Sequence, residues 1–252
     1  MTQSLFAKVQ AAAANLKVEE QDVLGGFTFA GGLYPGGIKM AYIDAWKSGA
    51  LFVGIELALL VDGKERTHKE MITISNKDGE FEYADKKSGE KQTMPGFQMI
   101  DTLFRLATGK GFVEQTPVVK KVKMRGENNT EVMEDREVFM ETVGKRVHLG
   151  MILSEVDKTK KNDMTGVYEP TGETRQENTL HKVFEYETKK TIAEVKANLP
   201  AKFFEGWEKN FADKVINKVK GTKAVAASGA QAGIPTPQGN TSENTGSLFG
   251  GQ

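Results

Sequence analysis

A mainly β fold with flanking helices (α+β) is the class predicted by this sequence, on three observations. Apolar residues recur with period two from Ile38 to Ser75. The period turns helical once in the interior, after Pro95. No apolar run approaches the roughly 18–20 residues of a membrane helix, the longest (Ala50 to Val61) being broken by Gly54 and Glu56.

The elements follow in order. Ser4 to Leu16 carries a helix-like pattern of Leu5, Val9 and Leu16, and Gly25 to Gly37 reads as a glycine-rich connector. Ile38 to Trp46 alternates as a first strand, turned by Lys47-Ser48-Gly49-Ala50. Leu51, Val53, Ile55, Leu57 and Leu59 form one face of a second, closed by Asp62-Gly63, a strong hairpin signal. Thr67 to Ser75 is a third. A polar excursion then leads to the helix at Pro95, striped by Phe97, Ile100, Leu103, Phe104 and Ala107 and stopped at Gly109. Strand-like pieces follow at Val118–Met124, Val132–Val143, Arg146–Val156 and Leu180–Thr188, with a long polar loop, Asp157–Thr179, before the last. Helices are expected at Ile192–Leu199 and Ala201–Val219.

A three-stranded meander, a helix and further strands is the element order of an OB-like five-stranded β-barrel, here with insertions and C-terminal helices. SH3-like barrels and many α+β domains open in the same way. The domain division expected is residues 1–30 as N-terminal helix and connector, 31–220 as the barrel domain, and 221–252 as a disordered tail. That tail is rich in Gly, Ala, Ser, Thr, Gln and Pro and too poor in large apolar residues to offset its ordering entropy.

Several function classes leave no trace. Without cysteine there is no disulfide framework, thiolate zinc site or cysteine nucleophile. His68, His148 and His181 are far apart and fit strand positions better than a metal group, so no metal or cofactor is expected. The glycine-rich connector lacks the G-K-[ST] ending of a P-loop, Gly109-Lys110-Gly111 reads as a helix cap, and no G-x-S-x-G elbow occurs. The chain is therefore expected not to be an enzyme. The N-terminus shows no basic and apolar leader, and no membrane partner is expected.

Binding of nucleic acid has positive content, although 34 basic residues balance 34 acidic ones and bulk charge predicts no such partner. Recognition of single strands needs cations to follow phosphates and flat rings for bases to stack on. The first strand supplies Lys39, Tyr42, Trp46 and Lys47. Tyr42 and Trp46 share a face by parity, whereas Lys39 joins it only if a bulge intervenes. Trp46 suits core and ligand contact equally. Further clusters bring Lys121, Lys123 and Arg125, then Lys158, Lys160, Lys161 and Arg175 with Tyr168 between them.

The stretches Gly37 to Ala50, Pro95 to Ile100, Tyr168 to Asn178 and Phe203 to Trp207 resemble single-stranded DNA-binding proteins of tailed bacteriophages, of the virulent podovirus type. The resemblance runs over roughly residues 31–220. It implies an OB fold, binding and protection of exposed strands in phage replication and recombination, and residence in the cytoplasm of the infected bacterium. Such proteins commonly end in an acidic tail with an aromatic tip that recruits replication proteins. Here Leu248 and Phe249 keep the tip, but Glu243 is the tail's one acid, which leaves recruitment of replication or transcription proteins to a short hydrophobic hook. Oligomeric state is left open. The rival readings are a virion or scaffold protein and, further off, a metal-dependent nuclease.

Overall fold

The computed structural model describes residues 28–85, 88–125, 130–162 and 167–220. The N-terminal helix expected at Ser4–Leu16 and the tail with Leu248 and Phe249 lie outside them. The described chain is mainly β, built on a largely antiparallel eight-stranded sheet.

The first strand, β1 (Gly32–Ala45), starts inside the expected connector, because its glycines are strand residues. Gly36 pairs with both Leu59 and Val147, and a Cβ there would stand 2.4 Å from the carbonyl oxygen of Ala58. Only glycine lets backbone approach that closely. β2 (Leu51–Val61) and β3 (Lys64–Thr73) complete the meander. Their turn has positive φ at both Asp62 (49°) and Gly63 (73°), as a two-residue hairpin requires.

A small hairpin, β4 (Glu82–Ala84) with β5 (Lys91–Thr93), fills the polar excursion. Helix α1 (Pro95–Thr108) has Pro at its start and ends at Gly109, left-handed at φ 80°, whose N–H donates to the Arg105 carbonyl. It buries Ile100, Leu103 and Phe104 completely, the stripe read from the sequence.

β6 (Val118–Arg125) and β7 (Glu131–Val138) form a hairpin held to β1 at Tyr42 and Ile43. β7 stops short of the expected Val143 in a 3-10 turn, Met140–Thr142. β8 (Arg146–Lys161) and β9 (Tyr168–Glu185) then form a hairpin through most of the expected loop. Its outer half escapes hydrophobic periodicity because Lys158–Lys161 and Tyr168–Gln176 are exposed on both faces. Backbone pairing shapes it there, joined by polar contacts such as Lys158 with Glu173 and Thr174 with Glu155.

α2 (Ile192–Lys196) and α3 (Lys202–Phe211) are shorter than predicted. The chain turns at Asn198 (φ 49°) and again at Asp213 (φ 57°), and β10 (Val215–Asn217) runs parallel to β8. Burial alone would push the Glu194 carboxyl up. Hydrogen bonds from the N–H groups of Thr191 and Phe203 and the Thr191 hydroxyl outweigh it and hold the group below its ordinary value.

Odd residues Val147, Leu149 and Met151 of β8 join Ile38, Ala41, Val53, Leu57 and α1 in one core. A second core, Ile152, Phe184 and Trp207, lies beneath α3. Among the described residues no backbone ladder joins β3 to β9. A side chain spans that gap: Glu70 Oε2 accepts from the Leu180 N–H at 2.9 Å and lies 3.0 Å from His68 Nε2. Beside it, Thr28, Phe29, Arg66, Gln176 and Asn178 border a polar cavity of about 520 Å³.

Candidate functional site

A groove of about 720 Å³ runs over the non-core face of β1–β3, beneath the β6–β7 hairpin. Strand register sets its floor in rows. Tyr42, Gly54 and Met71 are cross-strand partners in one row, and Met40, Glu56 and Lys69 in the next. Val122, Lys123, Met124 and Glu131 of the hairpin form the overhang.

Tyr42 is the centre of this floor. It is half-buried above Gly54, where a Cβ would stand 2.3 Å from the ring's Cζ. Burial raises the phenol above its ordinary value; the charges of Asp44 and Glu56 add to the rise and that of Arg136 opposes it. Met71 beside it is exposed although its neighbour Ile72 turns toward the core. Along the same face Phe52 lies 6.4 Å from Tyr42 and 4.4 Å from Trp46, ring to ring. Trp46 is 37% exposed, and its indole N–H donates to Thr73 Oγ1 at 3.0 Å. An apolar, aromatic strip is thus open at both its Tyr and Trp ends.

The cations on the rim are ion-paired. The register slips between Ile38 and Met40, so Lys39 sits at a bulge; its Nζ reaches Thr67 Oγ1 at 3.2 Å and Glu65 at 3.7 Å. Thr67 lies two residues from Lys69 on the same face of β3, which places the Lys39 head on the groove's face of the sheet, beyond its lining. Lys69 pairs with Glu56 at 2.8 Å and Lys123 with Glu131. Arg136 of β7 donates to Asp44 at 2.7 Å and to Glu134, tying the hairpin to the end of β1.

Lys39, Tyr42, Trp46 and Lys123 therefore share one face. Lys47 is exposed in the turn after β1, and Lys121 is exposed opposite Asp135. Arg125 ends β6, its side chain lying outside the described residues. The other predicted residues are elsewhere. Lys158, Lys160, Lys161, Tyr168 and Arg175 stand on the outer β8–β9 hairpin, where Lys158 pairs with Glu173 at 2.6 Å and Arg175 with Glu177 at 2.9 Å. Met151 of β8 faces Gly32 of β1. From Tyr42 the strand path to Lys158 thus covers ten positions of β1 and seven of β8, about 55 Å at ~3.3 Å per residue.

Sequence reasoning missed Glu56, Lys69, Met71 and the hairpin's Met124 and Glu131. Two signals pointed to them: Gly54 inside an apolar strand marks a close approach, and Met71 has opposite parity to Ile72. Among the described residues no group of three or more His, Asp or Glu side chains is arranged to hold a metal ion. What the groove offers is a half-buried tyrosine ring and methionines bordered by lysine–glutamate pairs. No family model, curated protein or solved structure matches this chain.

Proposed function

We propose that this protein binds and protects single-stranded DNA, largely without sequence preference, and performs no chemistry on it. The observation that carries the reading is the aromatic strip Tyr42–Phe52–Trp46, buried at Phe52 and open at its two ends, beside exposed Met71, with Lys69 and Lys123 lining the groove and Lys39 farther along the same face. Single-strand binding without base readout uses such parts: rings on which bases stack, at about 1–3 kcal/mol each, and cations that track phosphates.

β1 pairs with β2 along one edge and with β8 and then β7 along the other, with a bulge at Lys39 between them. A shared, bent first strand, a helix after the meander and the Glu70 bridge between β3 and β9 support an OB-like barrel closed at that seam by side chains. The resemblance to phage single-stranded DNA-binding proteins supports a role in phage replication and recombination within the host cytoplasm. In that role Leu248 and Phe249 would contact replication or transcription proteins as a short hydrophobic hook, without the acidic tail of the proteins that the chain resembles. Among the described residues no helix is long and apolar enough to cross a membrane.

The rim's ion pairs shape the expected energetics. Phosphates must displace Glu56, Glu65 and Glu131 from their lysines, so affinity owes more to stacking than a basic groove would allow.

The test is a titration of intrinsic fluorescence with oligo-dT and with duplex, in low and high salt. Trp207 is 2% exposed and Trp46 37%, so quenching by the single strand should disappear in Trp46→Phe. Absence of binding to oligo-dT at low salt, by quenching and by anisotropy alike, would overturn the proposal.

A further inference from the structure

The groove floor holds a carboxylate where a polyanion is proposed to lie. Glu56 stands in the row next to Tyr42, about 7 Å along β2 from Gly54. Its side chain is 25% exposed, against 68% for Glu131 on the overhang, and the Tyr42 phenol responds to its charge. A phosphate drawn into this row would meet like charge at short range. The strand must therefore run with phosphates along the lysine rim and bases turned down onto the floor.

A base stacked on Tyr42 brings its edge over the neighbouring row. There Glu56 is an acceptor only, with room for about four hydrogen bonds of which Lys69 takes one at 2.8 Å. Cytosine presents an exocyclic amine to such an acceptor, and carboxylates are its natural partners. Thymine presents a single imino N–H flanked by two carbonyl oxygens, which a carboxylate repels.

Resting on the proposed single-strand function, we infer that Glu56 is a specificity-determining residue: it accepts a hydrogen bond from the exocyclic amine of a base stacked on Tyr42, and so superimposes a bias toward amino-bearing bases over thymine on otherwise sequence-tolerant binding.

The experiment compares affinities for oligo-dC and oligo-dT of one length in the full-length protein, Glu56→Val and Lys69→Gln. Oligonucleotides differ in their own stacking, so the readout is the change in the dC-to-dT affinity ratio between variants. The ratio should fall at least about fivefold in Glu56→Val, which has no acceptor, the lower bound for one base-edge pair, and should not fall in Lys69→Gln, which keeps the Glu56 carboxylate. Glu56→Ile, another strand former without an acceptor, gives the same readout should the Val variant not fold.

An unchanged ratio in Glu56→Val overturns the assignment while leaving single-strand binding standing. An equal fall in Lys69→Gln overturns it too, because the ion pair and not the acceptor would then set the ratio. Failure of the unaltered protein to bind either oligonucleotide removes the functional proposal along with it.

Discussion

The ring of Tyr42 fills the space that a side chain at its cross-strand partner Gly54 would need: an added Cβ would stand 2.3 Å from Cζ and 2.5 Å from Oη. Glycine at this position is thus part of the platform, since it lets the ring settle onto the strand. Gly54→Ala should push the ring's outer end away. Gly54 is not among the positive-φ glycines, and alanine restricts the unfolded chain, so stability should change by no more than about 1 kcal/mol. Affinity for oligo-dT should fall by about 1–3 kcal/mol, roughly 5–150-fold. Tyr42→Ala should cost as much, and the double variant little more, because both changes remove one stacking surface. Additive losses in anisotropy titrations would show that the two residues act separately.

Distance makes a second prediction about charge. Lys123 on the groove rim and Lys160 on the outer β8–β9 hairpin are both exposed, but some 55 Å of strand path lies between the Tyr42 row and the hairpin. For an oligonucleotide of about 4 nucleotides, the short end of known site sizes, Lys123→Gln should weaken binding and Lys160→Gln should not. With long strands each substitution should reduce the salt slope by about 1, if the strand continues onto the hairpin. A Lys160→Gln protein that matches the unaltered one at every length would take the hairpin out of the interface.

These residues also show what the sequence makes legible. The meander, the Asp62-Gly63 turn and the α1 stripe follow from local rules, because buried alternation, paired positive φ and a helical period are written in neighbouring residues. Tyr42 and Trp46 share a face for the same reason. The β8–β9 hairpin is a different case. Its outer half is polar on both faces, held by backbone pairing such as Lys161 with Tyr168 and by surface contacts such as Lys158 with Glu173, neither of which leaves a hydrophobic period, so composition presents it as loop. Glu56, Lys69 and Met71 were hidden because their role depends on cross-strand register, which a bulge at Lys39 shifts by one residue. The separation of the two basic clusters could not be read locally either, since it depends on which end of β1 meets β8.

The seam between β3 and β9 supplies a third prediction, about stability. The Leu180 N–H is satisfied by Glu70 Oε2 at 2.9 Å, and Leu180 is 8% exposed. Glu70→Ala removes the acceptor and leaves a buried donor unpaired, which should cost about 1–3 kcal/mol in urea unfolding. Hydrogen exchange at Leu180 should accelerate, whereas exchange in α1 should follow the global change only. Glu70→Gln retains a carbonyl acceptor and should recover most of the loss. If Glu70→Ala is as stable as the unaltered chain, the seam is held by other contacts.

The last prediction concerns pH and the helix that covers the second core. Trp207 Nε1 donates to His181 Nδ1 at 2.9 Å, and the imidazole also lies 4.7 Å from Phe211, ring to ring. The bond needs a neutral ring nitrogen, since a protonated imidazole has no acceptor. Burial against these rings lowers the His181 pKa below its ordinary 6.5, and the charges of Lys218 and Lys182 lower it further. His148 shifts the same way, from burial and then Lys189. A folded-state pKa below the unfolded value means that the unfolded chain binds more protons in this range. Stability is then fully present above about pH 6.5 and is lost as pH falls through the lowered folded values. Urea midpoints should accordingly drop between pH 7.5 and pH 5, with a change in Trp207 emission at the acidic end. His181→Gln keeps an acceptor for the indole N–H without titrating, so its midpoint should depend less on pH, the remainder coming from His148 and the carboxylates. A His181→Gln profile parallel to that of the unaltered protein would show that the Trp207 bond does not report on protonation, and that α3 is held by its apolar contacts alone.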